Sequence, residues 1–115
     1  MKINIRAGKL DLTPSIITYI ENKFGTLSSY LKSLDEFGQA EVWVVITRTT
    51  RHHRRGMVYG AAADLRLTGR ILRAEDVGVN MRSVIDSVKK KLRLEIEKYK
   101  TRFRKIDKRV IQKMR

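Results

Sequence analysis

With 115 residues, no cysteine and 42% hydrophobic content, the chain is long enough for one domain with its own core, and a disulfide framework or thiolate metal site is excluded. Its longest apolar run, Val42-Trp43-Val44-Val45-Ile46, is far short of the ~20 residues a membrane-spanning helix needs. The net charge of +14 is more telling, because it is unevenly spread. Residues 1–47 and 56–81 are each neutral overall. Residues 48–55 carry four basic and no acidic residues, and residues 82–115 carry fourteen basic and four acidic ones. All the excess therefore sits in one loop and the C-terminal third, a distribution that suits a polyanionic partner better than a general need for solubility.

In chain order, the pattern predicts βαβββα. Ile3 and Ile5 alternate with Lys2, Asn4 and Arg6, the period-two mark of a half-buried strand. The same stretch lacks the apolar core of a signal peptide, so the protein is expected to be cytoplasmic. Thr13-Pro14 opens a helix, with Thr as cap and Pro at the first position, where no N–H is needed. Ile16, Ile20, Phe24, Leu27, Leu31 and Leu34 form its apolar stripe. Gly25 is expected to weaken this helix without ending it, and Asp35-Glu36-Phe37-Gly38 to terminate it.

Three strands follow. Glu41 to Thr49 places Val42, Val44 and Ile46 on one face. A basic loop, residues 50–56, leads to a strand with Tyr59, Ala61, Ala63, Leu65 and Leu67 inward, and Thr68-Gly69 turns into a strand with Leu72 and Ala74 inward. Short connections predict an antiparallel meander. Asn80 then caps a long helix on which Met81, Val84, Ile85, Val88, Leu92, Ile96, Tyr99 and Phe103 share a sector of about 100°. Both apolar helix stripes need a surface to bury against. The expected class is α+β: a two-layer sandwich with both helices on one face of a four-stranded sheet.

The residues offer little chemistry of their own. There is no nucleophile elbow and no Gly-rich phosphate loop. His52 and His53 are adjacent within the basic loop, and their nearest acids in sequence are Glu41 and Asp64, which argues against a metal site. The expectation is no enzyme, no cofactor and no metal. The last helix is different. Arg82, Lys89, Arg93, Lys100 and Arg104 line one flank of its apolar face, and Lys91, Lys98, Arg102 and Lys105 line the other. Together with Arg51, Arg54 and Arg55 of the loop, these flanks form a candidate RNA-binding surface. The apolar base of the helix is expected to be used up by the sheet, leaving none for a membrane.

The ordered set of motifs resembles a known family. The Leu12-Thr13-Pro14 helix start, the segment Leu67 to Glu75, the helix opening Asn80 to Asp86, and the run from Lys91-Leu92 through Lys98-Tyr99-Lys100 are similar to the ribosome hibernation promoting factor / ribosome-associated inhibitor A family, in its short form. The resemblance covers residues 1 to about 102. It implies a double-stranded-RNA-binding-like fold docked in the decoding region of the small ribosomal subunit. There the family overlaps messenger and transfer RNA, blocks translation and preserves idle ribosomes in stress and stationary phase. Lys91, Lys98 and Lys100 carry over as ribosomal-RNA contacts. Arg82, Glu95 and Glu97 depart from the family's usual residues at their positions.

Residues 1–103 are thus expected to form a ribosome-binding domain, and residues 104–115 a basic tail or helix extension. The alternative reading is a binder of structured RNA without ribosome specificity. The sheet's other face, with Trp43, Val45, Val58, Ala62 and Ile71, is an apolar patch and a candidate for self-association. If the basic surface neutralises about six phosphates, log affinity for RNA falls against log salt with a slope of about −4 to −5, measurable by filter binding. A flat dependence would place the interface elsewhere.

Overall fold

The computed structural model describes residues 1–8, 10–32, 39–48, 58–67 and 69–113, with side chains through Arg102. Its elements are β1 (Lys2–Gly8), α1 (Pro14–Gly25), a 3₁₀ segment (Thr26–Tyr30), β2 (Glu41–Arg48), β3 (Tyr59–Leu67), β4 (Arg70–Gly78) and α2 (Met81–Lys113). This is the predicted βαβββα order. The sheet runs β1-β2-β3-β4, with β1 parallel to β2 and the last three strands an antiparallel meander. The parallel pair follows from α1, which returns the chain to the end of the sheet where β1 began. Between β3 and β4 the chain turns through Gly69 at φ 74°, a left-handed conformation that favours glycine.

One face of the sheet is buried. Val42, Val44, Ile46, Ala61, Ala63, Leu65, Leu72 and Ala74 point to the helices, as the alternation predicts. Against them α2 contributes Val84, Ile85, Val88, Leu92 and Ile96, and α1 with its 3₁₀ extension contributes Ile20, Phe24, Leu27 and Leu31. α2 lies over β3 and β4, while α1 packs beside β1 and along α2. Both helices are capped as expected: Thr13 Oγ1 accepts from the Ile16 N–H (3.3 Å) and Asn80 Oδ1 from the Ser83 N–H (3.2 Å).

The first helix corrects one expectation. The α-helix ends at Gly25 and continues as a 3₁₀ turn rather than running on intact. The hydroxyls of Thr26, Ser28 and Ser29 each donate to a carbonyl three residues back, on Lys23, Gly25 and Thr26, at 2.7–2.9 Å. Such local bonds offer the backbone carbonyls an alternative to the α-helical ladder. The stripe survives, because Phe24 and Leu27 superpose in a three-residue turn. Leu34 and the terminating segment at 35–38 lie outside the described residues.

α2 is helical for 33 residues, about 50 Å, whereas the nine-residue strands beneath it span about 30 Å. Its C-terminal turns therefore overhang the sheet. Deleting the Phe24 ring, which is fully buried, should lower stability by about 3–5 kcal/mol. Gly25→Ala should instead raise it by about 0.4–1 kcal/mol, since the site has a helical backbone and an added Cβ meets nothing within 4 Å. Urea unfolding read as midpoint shifts at constant slope checks both.

Candidate nucleic-acid interface

Burying the apolar stripe of α2 fixes where its cations go. One flank faces α1 and the other the edge strand β4. The two helices run in the same direction, so that Ser15 meets Arg82 and Tyr19 meets Asp86. The Tyr19 hydroxyl donates to Asp86 Oδ1 at 2.6 Å, and Lys23 Nζ lies 3.5 Å from the same oxygen. Arg82 donates to Ser15 Oγ at 3.2 Å and stands 5.3 Å from the centre of the Tyr19 ring. The bond to Asp86, then burial and the nearby negative charge, push the Tyr19 phenol above its usual range, so it remains a neutral donor.

Beyond this junction the helices open into a depression of about 330 Å³ lined by Lys23, Asp86, Lys89, Lys90 and Arg93. Four cations surround one carboxylate. Asp86 is engaged by Tyr19 and Lys23, while Lys89 and Lys90 form no ion pair with any described residue. Arg93 approaches Glu97 only to 4.0 Å, and its Nε has no hydrogen-bond partner among the described residues. The notch therefore holds uncompensated positive charge at the surface, the condition for binding phosphate.

The β4 flank is more occupied. Lys91 Nζ donates to the Glu75 carbonyl at 3.2 Å and lies 3.5 Å from Asp76 Oδ2. Asp76 also accepts from the Ser87 hydroxyl and, through Oδ1, from the Val77 N–H at 2.8 Å. These bonds, with Ser87 first, hold the Asp76 carboxyl below its usual range, and the Lys91 charge adds to the effect. Lys98 pairs with Glu95 one turn back, at 3.6 Å. Lys100 lies in α2, half-buried.

Of the residues expected from the sequence, the fold therefore gathers Arg82, Lys89 and Arg93 beside α1 and sets Lys91 and Lys98 on the β4 side. Arg51, Arg54 and Arg55, with His52 and His53, lie outside the described residues, as does the Arg104 side chain. Lys23, Lys90, Tyr19 and Asp86 were missed. Nothing local marks them, because their role depends on which side of α1 meets α2. Among the described residues there is no cluster of three or more His, Asp or Glu side chains able to hold a metal ion, and no helix long and apolar enough to cross a membrane.

The open face of the sheet also differs from a plain apolar patch. Val45, Ile71 and Val77 are exposed there, but Trp43 is half-buried between two guanidinium groups, Arg6 at 5.9 Å and Arg66 at 5.0 Å from its ring centre. Arg73 donates to both carboxylate oxygens of Asp64 (2.9 and 3.1 Å) and to Glu75 at 3.3 Å.

A two-layer α+β domain with a cationic helical layer is the class these features define. Residues 3–104 match the family described as Sigma 54 modulation protein / S30EA ribosomal protein, and the chain belongs to that family. A Ribosome hibernation promotion factor from Lactococcus lactis subsp. cremoris (strain MG1363) is 34% identical over 102 residues, which are 89% of this chain and 51% of the relative. The chain thus spans about half the length of that curated relative. The N-terminal domain of Protein Y from Thermus thermophilus superposes with a TM-score of 0.67 at 22% identity, covering 86% of this chain and 99% of the other. A ribosomal subunit interface protein from Coxiella burnetii gives 0.68 at 16% identity, covering 88% and 99%. At those identities the two structures establish the shared fold.

The Asp76 network makes a pH prediction. A carboxyl held below its unfolded value of about 3.9 contributes stability that is present above that pH and lost as pH falls through the folded value. Thermal melts should therefore show wild type losing more stability than Asp76→Asn on acidification below about pH 4, and equal losses would remove Asp76 from the acid response.

Proposed function

We propose that this protein binds the small ribosomal subunit in the cytoplasm through its helical layer, with ribosomal RNA as ligand. There it occupies the decoding region and blocks messenger and transfer RNA. It acts stoichiometrically and catalyses no reaction. The observation that carries the reading is the notch between α1 and α2, where Lys23, Lys89, Lys90 and Arg93 outnumber the single, already engaged carboxylate of Asp86. Family membership supports the ribosome as the source of the phosphates, and the names of the Lactococcus and Coxiella relatives point the same way.

Within this reading the two flanks of α2 do different work. Lys89 and Lys90 meet phosphates, whereas Lys91 ties α2 to β4 through Asp76 and the Glu75 carbonyl. Residues 105–113 continue the helix past the family match, a stretch that carries four of the chain's lysines and arginines. Sedimentation of the protein with purified small subunits on a sucrose gradient tests the proposal. Co-sedimentation that shields the subunit from messenger and transfer RNA supports it. Binding to any structured RNA with equal affinity would favour the reading without ribosome specificity.

Replacing Lys89 and Lys90 together by alanine should weaken subunit binding and lower the salt slope by about 1–2, leaving the thermal midpoint unchanged. Lys91→Ala should do the reverse, with a lower midpoint and a near-normal slope. The same slope loss from either variant would mean that both flanks face RNA.

A further inference from the structure

The helical layer accounts for the excess charge of α2 but leaves the opposite face of the sheet without a role. Three strands converge there on Trp43. Arg6 lies across from Val45 on β1, and Arg66 lies across from Glu41 on β3, so each reaches the ring diagonally and from opposite sides. Both arginines are exposed, and neither forms an ion pair with a described residue. The indole N–H has no acceptor among the described residues either.

Beside the ring runs a shallow trough of about 580 Å³, within the size range of small-ligand clefts. Val45, Ala62 and Val77 supply apolar lining, and the Asp64–Arg73–Glu75 network supplies acceptors and donors. An aromatic ring with planar cations on both sides, an apolar floor and a polar rim suits a planar base carrying a phosphate. The base stacks on the indole or on a guanidinium, and Arg6 and Arg66 take its phosphate.

We propose that the open sheet face is a second RNA-contacting surface, where an unpaired base of single-stranded RNA stacks at Trp43 between Arg6 and Arg66. This deepens the RNA-binding reading of the helical layer and rests on it. A base splayed from a single strand can reach the ring, whereas a flat sheet offers a duplex no groove. A second copy fits less well. A two-fold contact centred on Trp43 would bring together four guanidiniums that have no ion-pair partner among the described residues, and like charges so placed oppose association. The two layers would then hold different parts of one RNA, phosphates on the helices and a flipped base on the sheet.

Trp43 is the only tryptophan in the chain, so its fluorescence reports on this site alone. The full chain is titrated with the single-stranded hexanucleotide of adenosine and, separately, with a short RNA duplex. Saturable quenching by the single strand is expected, with little by the duplex. Arg6→Ser and Arg66→Ser should each weaken that quenching about tenfold, because stacking on one ring or guanidinium is worth that much. The Lys89/Lys90 double alanine variant should still be quenched while losing small-subunit affinity. Absent quenching with subunit binding intact overturns the inference and leaves the proposed function standing. Loss of subunit binding in the wild type defeats that function itself. Emission that shifts to the blue with protein concentration alone, without RNA, assigns the face to a second copy and also overturns the inference.

Discussion

The commitment of one apolar face of α2 to the sheet is the constraint from which the rest of the molecule follows. Val84, Ile85, Val88, Leu92 and Ile96 are at most 4% exposed, and they fix the helix in rotation as well as position. A helix so anchored cannot turn its cations inward or hide them. Each flank is presented to whatever lies beside it, α1 on one side and the end of β4 on the other. The same burial also removes the apolar stripe from competition for membranes or partner helices over the length of the sheet.

Two aspartates lock that rotation. Asp86 ties α2 to Tyr19 and Lys23 of α1, and Asp76 reaches from β4 to Ser87 and Lys91. These partly exposed interactions are individually modest, and their value lies in geometry rather than in energy. They consume cations unequally. Lys91 is drawn into the β4 network, whereas Lys89 and Lys90 form no ion pair with a described residue. A helix that reads as symmetrically basic therefore becomes one-sided once folded.

The open face of the sheet follows a different logic. Arg73 is neutralised there by Asp64 and Glu75, while Arg6 and Arg66 form no ion pair with a described residue. What it offers is local, a ring and two guanidiniums brought together by three strands. A molecule with one face suited to backbone charge and another to a planar group can engage a folded RNA in two ways at once.

Much of this was determined by the sequence alone, because the physics involved is local. Alternation in Glu41–Arg48 and the meander chose the inward residues, Thr13 and Asn80 marked the helix starts, and the spacing from Met81 to Tyr99 drew the buried stripe of α2. The concentration of charge in residues 82–115 was equally plain. The break at Gly25 was misjudged because the back-bonding hydroxyls of Thr26, Ser28 and Ser29 outweighed an otherwise continuous stripe. Only the tertiary structure decided that β1 lies parallel to β2, that Asp86 rather than solvent receives the Tyr19 hydroxyl 67 residues away, and that Arg6 and Arg66 enclose Trp43. Periodicity says which side of an element faces the core. It carries no information about which neighbour stands at its flank, because strand register and helix rotation are settled by contacts between residues far apart in the chain.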